Sequence, residues 1–231
     1  MNSPAFNFID AHHHLWDLEA CHYPWLMAKG EQRFFGDPSP IQKNYLVDDF
    51  LDESNQYSPA KSVHIQVGAA EHDSLKETQW LQRQSPVPNG IVAFCDLSAD
   101  NYQQQIDAQK AYSKVKGIRQ IIGRHIDEDH KHGSQALLTN ANWHKAVHYL
   151  AKQGLSFDLQ MIPPQIDKVY DALQTVPHLK VALCHGGSPW DQSPAGLTSW
   201  QAGLKKLSSL PNVYCKVSGL GMFNHHWREQ D

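Results

Sequence analysis

Seven short β-rich runs alternating with helical patterns restrict the folds open to this chain more than any other feature. The runs are FNFIDAH (6–12), KSVHIQV (61–67), GIVAFCDL (90–97), KGIRQII (116–122), LSFDLQM (155–161), LKVALCH (179–185) and NVYCKVS (212–218). Their length, their β-branched or apolar content and their Gly, Pro and Asn boundaries mark them as strands. Between them, residues 44–56, 71–84, 101–112, 140–153, 164–174 and 196–209 carry apolar positions at helical spacing, and Gly154 stands where a helix would end in the left-handed region. Strand and helix in unbroken alternation make right-handed βαβ units, hence a parallel sheet covered by helices. The expected fold is therefore α/β, a (β/α)8 TIM-type barrel. Such a barrel takes about 250 residues. Here 231 residues, with 15–42 spent on a long first loop, supply seven strands; GLGMFNHHWREQD after the seventh is too short for the eighth. No repeat, low-complexity tract or linker divides the chain, so residues 1–231 are expected to form a single barrel domain, short at its C-terminus.

Charge and composition remove several function classes. Twenty Lys+Arg against 24 Asp+Glu give a formal charge of -4, without the basic footprint that a phosphate backbone requires, so no nucleic-acid partner is expected. No apolar run approaches the length of a membrane span, and MNSPAFNFID lacks the basic and apolar regions of a secretory signal, which makes the cytoplasm the expected location. Cys21, Cys95, Cys184 and Cys215 are widely spaced without a CxxC pair; the last three fall in apolar runs, where reduced cysteine behaves as a small core residue. Histidine is abundant, at 15 residues, which favours metal or acid/base chemistry without choosing between them.

Residues two apart on a strand share a face. In Asp10-Ala11-His12-His13-His14 this groups Asp10, His12 and His14 and turns His13 the other way, towards the helices. Two imidazoles about 6.5 Å apart along a strand can lean towards one divalent ion; alternatively, three histidines fill a polar strand end. The same parity sets Asp158 and Gln160 opposite Phe157 and Leu159, and Lys216 and Ser218 opposite Cys215 and Val217. With the apolar side facing helices, these polar residues point inward, and the ones near strand C-termini reach the end where barrel active sites lie. Arg119 on the fourth strand and His185 at the end of the sixth take the same address, and Gln66 shares a face with His64. Lys216 and Asp158 are also suited to pairing with each other, because a lone buried charge is costly. Arg124, in the loop after the fourth strand, suits either bidentate substrate binding or plain exposure. Surface roles are expected for His130, His132, His144 and His148, and His225 and His226 show no partner in the sequence.

Taken in order, IDAHHHLWD, GIRQIIGR, FDLQM, CHGGSP and NVYCKVSGL resemble the amidohydrolase superfamily in its amidohydrolase 2 branch, which includes L-fuconolactonases and pyrone-dicarboxylate lactonases. The resemblance runs along nearly the whole chain. It implies a TIM barrel that hydrolyses a small-molecule lactone or carboxylate by attack of an activated water. It also implies His12, His14 and His185 as metal ligands, Arg119, Asp158, His185 and Lys216 as catalytic groups and Gln160 as a substrate-binding group, to which strand parity and loop position add Gln66, Arg124 and Ser218 as substrate-binding candidates. The ion implied is a single divalent metal, zinc or manganese, which some members of the branch dispense with; the fifth strand lacks the histidine and the fourth the bridging lysine of a two-metal site. The branch places a water-activating aspartate on an eighth strand, in a Ser-Asp-Trp-Pro-like stretch that has no counterpart in this sequence. Asp10 and Asp158 are the stand-ins to weigh for the base. Two other readings stay open: a shortened barrel that keeps a ligand or metal pocket with little turnover, and a related decarboxylase or amide hydrolase. Trp16, Tyr23, Trp25, Phe34 and Phe35 in the first loop are expected to roof the barrel mouth or to pack on its top, and the sequence carries no sign of oligomeric state.

Overall fold

The computed structural model describes residues 7–57, 59–126, 128, 129, 134–224 and 226. His130, His132, His225, Asp231 and the first residue of the first β-rich run lie outside them. In chain order the elements are β1 (Ile9–His13), α1 (Pro24–Met27), α2 (Val47–Ser54), β2 (Lys61–Ile65), α3 (Ser74–Arg83), β3 (Gly90–Phe94), α4 (Tyr102–Lys110), β4 (Val115–Ile121), α5 (Ala141–Gln153), β5 (Ser156–Gln160), α6 (Ile166–Leu173), β6 (Val181–Leu183), α7 (Pro194–Leu207) and β7 (Val213–Cys215). All seven expected strands form, and they hydrogen-bond in the order of the chain. This is the strand order of a (β/α)8 barrel through its seventh strand. Among the described residues no helix is long and apolar enough to cross a membrane.

Local chemistry explains the boundaries. Before α5 the Asn140 side chain accepts from the backbone N–H groups of Asn142 and Trp143, and after it Gly154 takes φ 71°, the left-handed stop expected from the sequence. Ser193 caps α7 by accepting from Gly196 N–H, and Pro194 fills the first turn, where its missing donor costs nothing. The loop read as structureless between residues 15 and 42 contains α1, whose four residues are too few to show helical periodicity.

The chain divides into two compact units, with the boundary passing through α4 and β4. The first comprises the described residues up to Cys95 together with Gln105–Gly117. In it β1, β2 and β3 pair in parallel, and Leu15, Ile65, Leu81 and Ile91 are wholly buried. The second comprises Asp96–Gln104 and the described residues from Ile118 onward. Here β5, β6 and β7 pair in parallel, Leu159 with Leu183 and Leu183 with Cys215, and the Trp143 and Phe157 rings meet edge to face at 6.0 Å between α5 and β5. The apolar side of β5 thus faces a helix, as alternation requires. Cys215 departs from expectation: it is exposed rather than a core residue, because the outward side of β7 is uncovered among the described residues.

Candidate active site

His14, Gln66, Gln160, His185, Lys216 and Ser218 stand at or beyond the C-terminal ends of their strands, the end that carries chemistry in barrels, whereas Asp158 is mid-strand in β5, Arg119 lies two residues inside β4 and Asp10 is near the start of β1. In the first unit β1 is irregular. Asp10 pairs with Ser62 and His13 with His64, so three steps of β1 span two of β2. After this bulge the His13 ring is buried and stacks on Phe50 of α2 at 4.3 Å, the helix-facing position expected for it. Burial pushes its pKa down to about 4, against the opposing charge of Asp10. The His12 and His14 rings stand 5.2 Å apart, edge to face. His14 Nδ1 lies 2.7 Å from the Ile65 carbonyl oxygen; a carbonyl only accepts, so Nδ1 carries the proton and Nε2 is the basic nitrogen. Asp10 folds back to accept from His12 N–H at 2.9 Å. Gln66 accepts from Gly68 N–H at 2.6 Å, just beyond β2.

Whether this unit suits a divalent ion can be judged from the donors. A histidine that gives its Nδ1–H to a backbone carbonyl is oriented as metal-binding histidines are, so His14 fits a nitrogen ligand, with the His12 ring 5.2 Å away between centroids. Among the described residues no group of three or more His, Cys, Asp or Glu side chains converges as a complete metal site.

The second unit holds six of the residues picked out from the sequence in two hydrogen-bonded groups, Arg119, Gln160, His185 and Ser218 in one and Asp158 and Lys216 in the other. Arg119, buried on β4, donates to Gln160 Oε1 at the end of β5. The same terminal nitrogen lies 3.4 Å from His185 Nε2; since a guanidinium only donates, Nε2 is the accepting nitrogen of the ring. His185 Nδ1 then carries the proton and donates to Ser218 Oγ at 3.0 Å. Lys216 Nζ forms an ion pair with Asp158, whose side chain is 3% exposed against 17% for the lysine. The pairing anticipated for these two residues is therefore made. Cys184 Sγ lies 4.0 Å from Asp158 Oδ2, and burial pushes its thiol up to about 11 even with the Arg119 charge opposing.

His185 reaches its place through an unusual backbone. His185, Gly186, Gly187 and Ser188 have φ of 55°, 60°, 77° and 56°, four left-handed residues in succession. For the two non-glycine residues that conformation costs on the order of 1–3 kcal/mol each. Three hydrogen bonds hold it: Ser188 N–H to His185 O at 3.0 Å, Gly186 N–H to Lys216 O at 2.9 Å, and Trp200 Nε1–H to Gly186 O at 2.7 Å. The paired glycines of CHGGSP were the sequence signal for such a turn, and the expectation of a plain strand end did not use it. Gly219 crowds the same ring. It has φ 62°, and a Cβ there would stand 2.5 Å from His185 Nδ1.

The remaining candidates lie apart from these groups. Arg124 is half-buried and gives its backbone N–H to both Asp129 oxygens, at 2.9 and 3.0 Å. His144 pairs with the Leu138 carbonyl and the exposed His148 with Thr175 Oγ1. Of the loop aromatics, Tyr23 is wholly buried with Cys21, Leu26 and Val67, while Trp25 donates to the Val67 carbonyl at 2.6 Å and meets Phe35 edge to face.

The chain is similar to several known proteins along most of its length. An uncharacterized protein of Sinorhizobium fredii is 34% identical over 226 residues, 96% of this chain and 76% of its own length. An L-fucono-1,5-lactonase of Burkholderia multivorans is 23% identical over 216 residues, 92% of this chain and 68% of that protein. Among solved structures, an amidohydrolase from Burkholderia multivorans with bound zinc superposes with a TM-score of 0.75 at 23% identity, covering 98% of this chain and 74% of that one. That likeness fixes the fold as the TIM-type barrel expected from the strand order. The family model Amidohydro_2, described as amidohydrolase, matches residues 9–231, and the chain belongs to that family.

Proposed function

We propose that the chain hydrolyses the lactone of a small sugar acid or dicarboxylic acid to the open hydroxy acid. The observation that carries the reading is the buried Arg119 guanidinium, held by Gln160 and set beside the accepting nitrogen of His185. Family membership and the lactonase named among the relatives support it.

In this reading Arg119 and Lys216 offer N–H donors to the carbonyl oxygen as negative charge develops there. Asp158 neutralises Lys216 in the resting site and fixes its ammonium group. His185 is neutral, with its Nδ1–H given to Ser218, and Nε2 takes the proton released as water attacks the acyl carbon. The ring C–O bond breaks, and that proton passes to the leaving alkoxide, so water and lactone are fully accounted for in the hydroxy acid. Gln160 orients Arg119, and Gln66 and Arg124 are assigned to substrate hydroxyl or carboxylate groups. His12 and His14 are assigned to a divalent ion, zinc or manganese, which supplies Lewis acidity when bound.

The test is turnover of a panel of sugar-acid and dicarboxylate lactones by the folded chain, with and without chelator, beside Arg119→Ala and His12→Ala. Losing a donor to the developing oxyanion should lower kcat/KM by about 100-fold or more in Arg119→Ala. Turnover indifferent to Arg119→Ala, or none on any lactone, defeats the reading. Amide hydrolysis or decarboxylation by the same samples would redirect it. A chelator-sensitive rate that His12→Ala abolishes supports the ion.

A further inference from the structure

His64 has no part in the reaction as read above, yet it is wholly buried beside the residues that do. It is the β2 partner of His13, directly after the β1 bulge. Its ring meets His13 at 5.9 Å and His14 at 6.3 Å, both edge to face at 88°. Its Nδ1 lies 3.0 Å from the backbone nitrogen of Leu15. A backbone N–H can only donate, so Nδ1 is the bare nitrogen and the neutral ring carries its proton on Nε2. That Nε2 is buried without a hydrogen-bond partner among the described residues.

The neighbouring bond runs the opposite way. His14 Nδ1–H donates to Ile65 O, while Leu15 N–H donates to His64 Nδ1. Two consecutive residues leaving β1 are thus clasped by two consecutive residues of β2, at the point where the bulge has ended regular strand pairing. Leu15 is itself wholly buried, so its N–H has no water to turn to if the acceptor is removed.

We propose that His64 is a positioning residue for His14: by accepting the Leu15 N–H it locks the 14–15 backbone, and through it the ring orientation and tautomer that leave His14 Nε2 as the basic nitrogen. The proposal deepens the assignment of His14 as an ion ligand and rests on that assignment for its consequence, but the clasp is measurable without substrate or metal.

The experiment is imidazole 1H–15N correlation NMR on the full, metal-free chain near neutral pH, with Leu15 amide exchange. His64 and His14 should show opposite tautomers, bare at Nδ1 and at Nε2 respectively. His64→Asn keeps an acceptor at the δ1 position and should preserve the His14 pattern. His64→Leu has a similar shape without an acceptor; Leu15 exchange should accelerate and His14 should spread over both tautomers. Zinc affinity, read by chelator competition, should then fall about 10–100-fold in His64→Leu, the usual scale for losing a group that orients a ligand, and hold in His64→Asn. A protonated Nδ1 on wild-type His64 overturns the proposal, as does a His64→Leu protein that keeps the His14 tautomer and a protected Leu15. If His64→Leu does not fold, the wild-type tautomers and the asparagine variant decide. Should the clasp be found while wild type binds no zinc, the ion assignment fails and the positioning stands.

Discussion

Gly219 carries no side chain, and that is its contribution to the site. Its φ of 62° is open to any glycine, but a Cβ would also stand 2.5 Å from His185 Nδ1 and 2.7 Å from Met222 Cε. Gly154 provides the contrast, with φ 71° and nothing within 4 Å of a built Cβ. Gly219→Ala is expected to displace the His185 ring and lower kcat/KM by roughly 100-fold, the scale of a small misplacement of a reacting group. Gly154→Ala should cost about 1 kcal/mol of stability from its backbone alone and leave kcat/KM unchanged. Lactone turnover and thermal melts on the two variants separate these outcomes. The Asp158–Lys216 pair is a second case. Lys216→Met strands a carboxylate whose side chain is only 3% exposed, at a cost of about 3–5 kcal/mol. The double variant Asp158→Asn/Lys216→Met should recover part of that loss, which urea unfolding of the two proteins would measure. Alternation along the strands was enough to select both of these residues, Arg119 and Gln160. The left-handed turn at His185 was beyond it, because parity arguments presume regular backbone and four left-handed residues break that presumption.

Among the elements, the segment from Leu15 to Tyr45 is secured at several points. Trp16 and Tyr45 exchange backbone hydrogen bonds at 2.9 and 3.0 Å. His22 N–H donates to Asp73 Oδ2 at 2.8 Å, and the His22 carbonyl accepts from Ala70 N–H at the same distance. Beneath it Glu77 of α3 is wholly enclosed and accepts from Val67 N–H at 3.3 Å. Burial raises its carboxyl from 4.5 to about 7. A raised folded-state pKa means the native chain holds a proton that the unfolded chain has released. Stability from this group is therefore full below 4.5 and is lost as pH rises towards 7, by about 3 kcal/mol in all. Thermal melts between those limits should fall in wild type and be flatter in Glu77→Gln. Strands and long helices were legible from the sequence within a few residues, since each has enough positions to show its period. What periodicity does not carry is the irregular backbone: α1 with four residues, and the β1 bulge, where Asp10-Ala11-His12-His13-His14 gives no sign that three steps span two.

At the scale of the whole molecule, the sequence order of strands was enough for the fold class, because unbroken strand–helix alternation leaves few topologies open. It said less about which faces would be covered. In a (β/α)8 barrel the outward residues of each strand lie beneath helices, and at β5 this holds, with Phe157 wholly buried against α5. At β7 it does not: Cys215 faces solvent, and Val217, on the same side just past the strand, is 84% exposed. The four cysteines therefore report on packing throughout the chain. Cys21, Cys95 and Cys184 are buried, and burial raises the thiols of Cys21 and Cys184 to about 11, so in the native state they are short of both access and thiolate. Burial also raises the Cys215 thiol, but its surface is open to reagent. Under native conditions Ellman's reagent should titrate a single thiol, lost in Cys215→Ser, and all four once the chain is denatured. A second fast thiol would show that one of the two units opens readily, and its identity, Cys21 and Cys95 in one and Cys184 in the other, would say which.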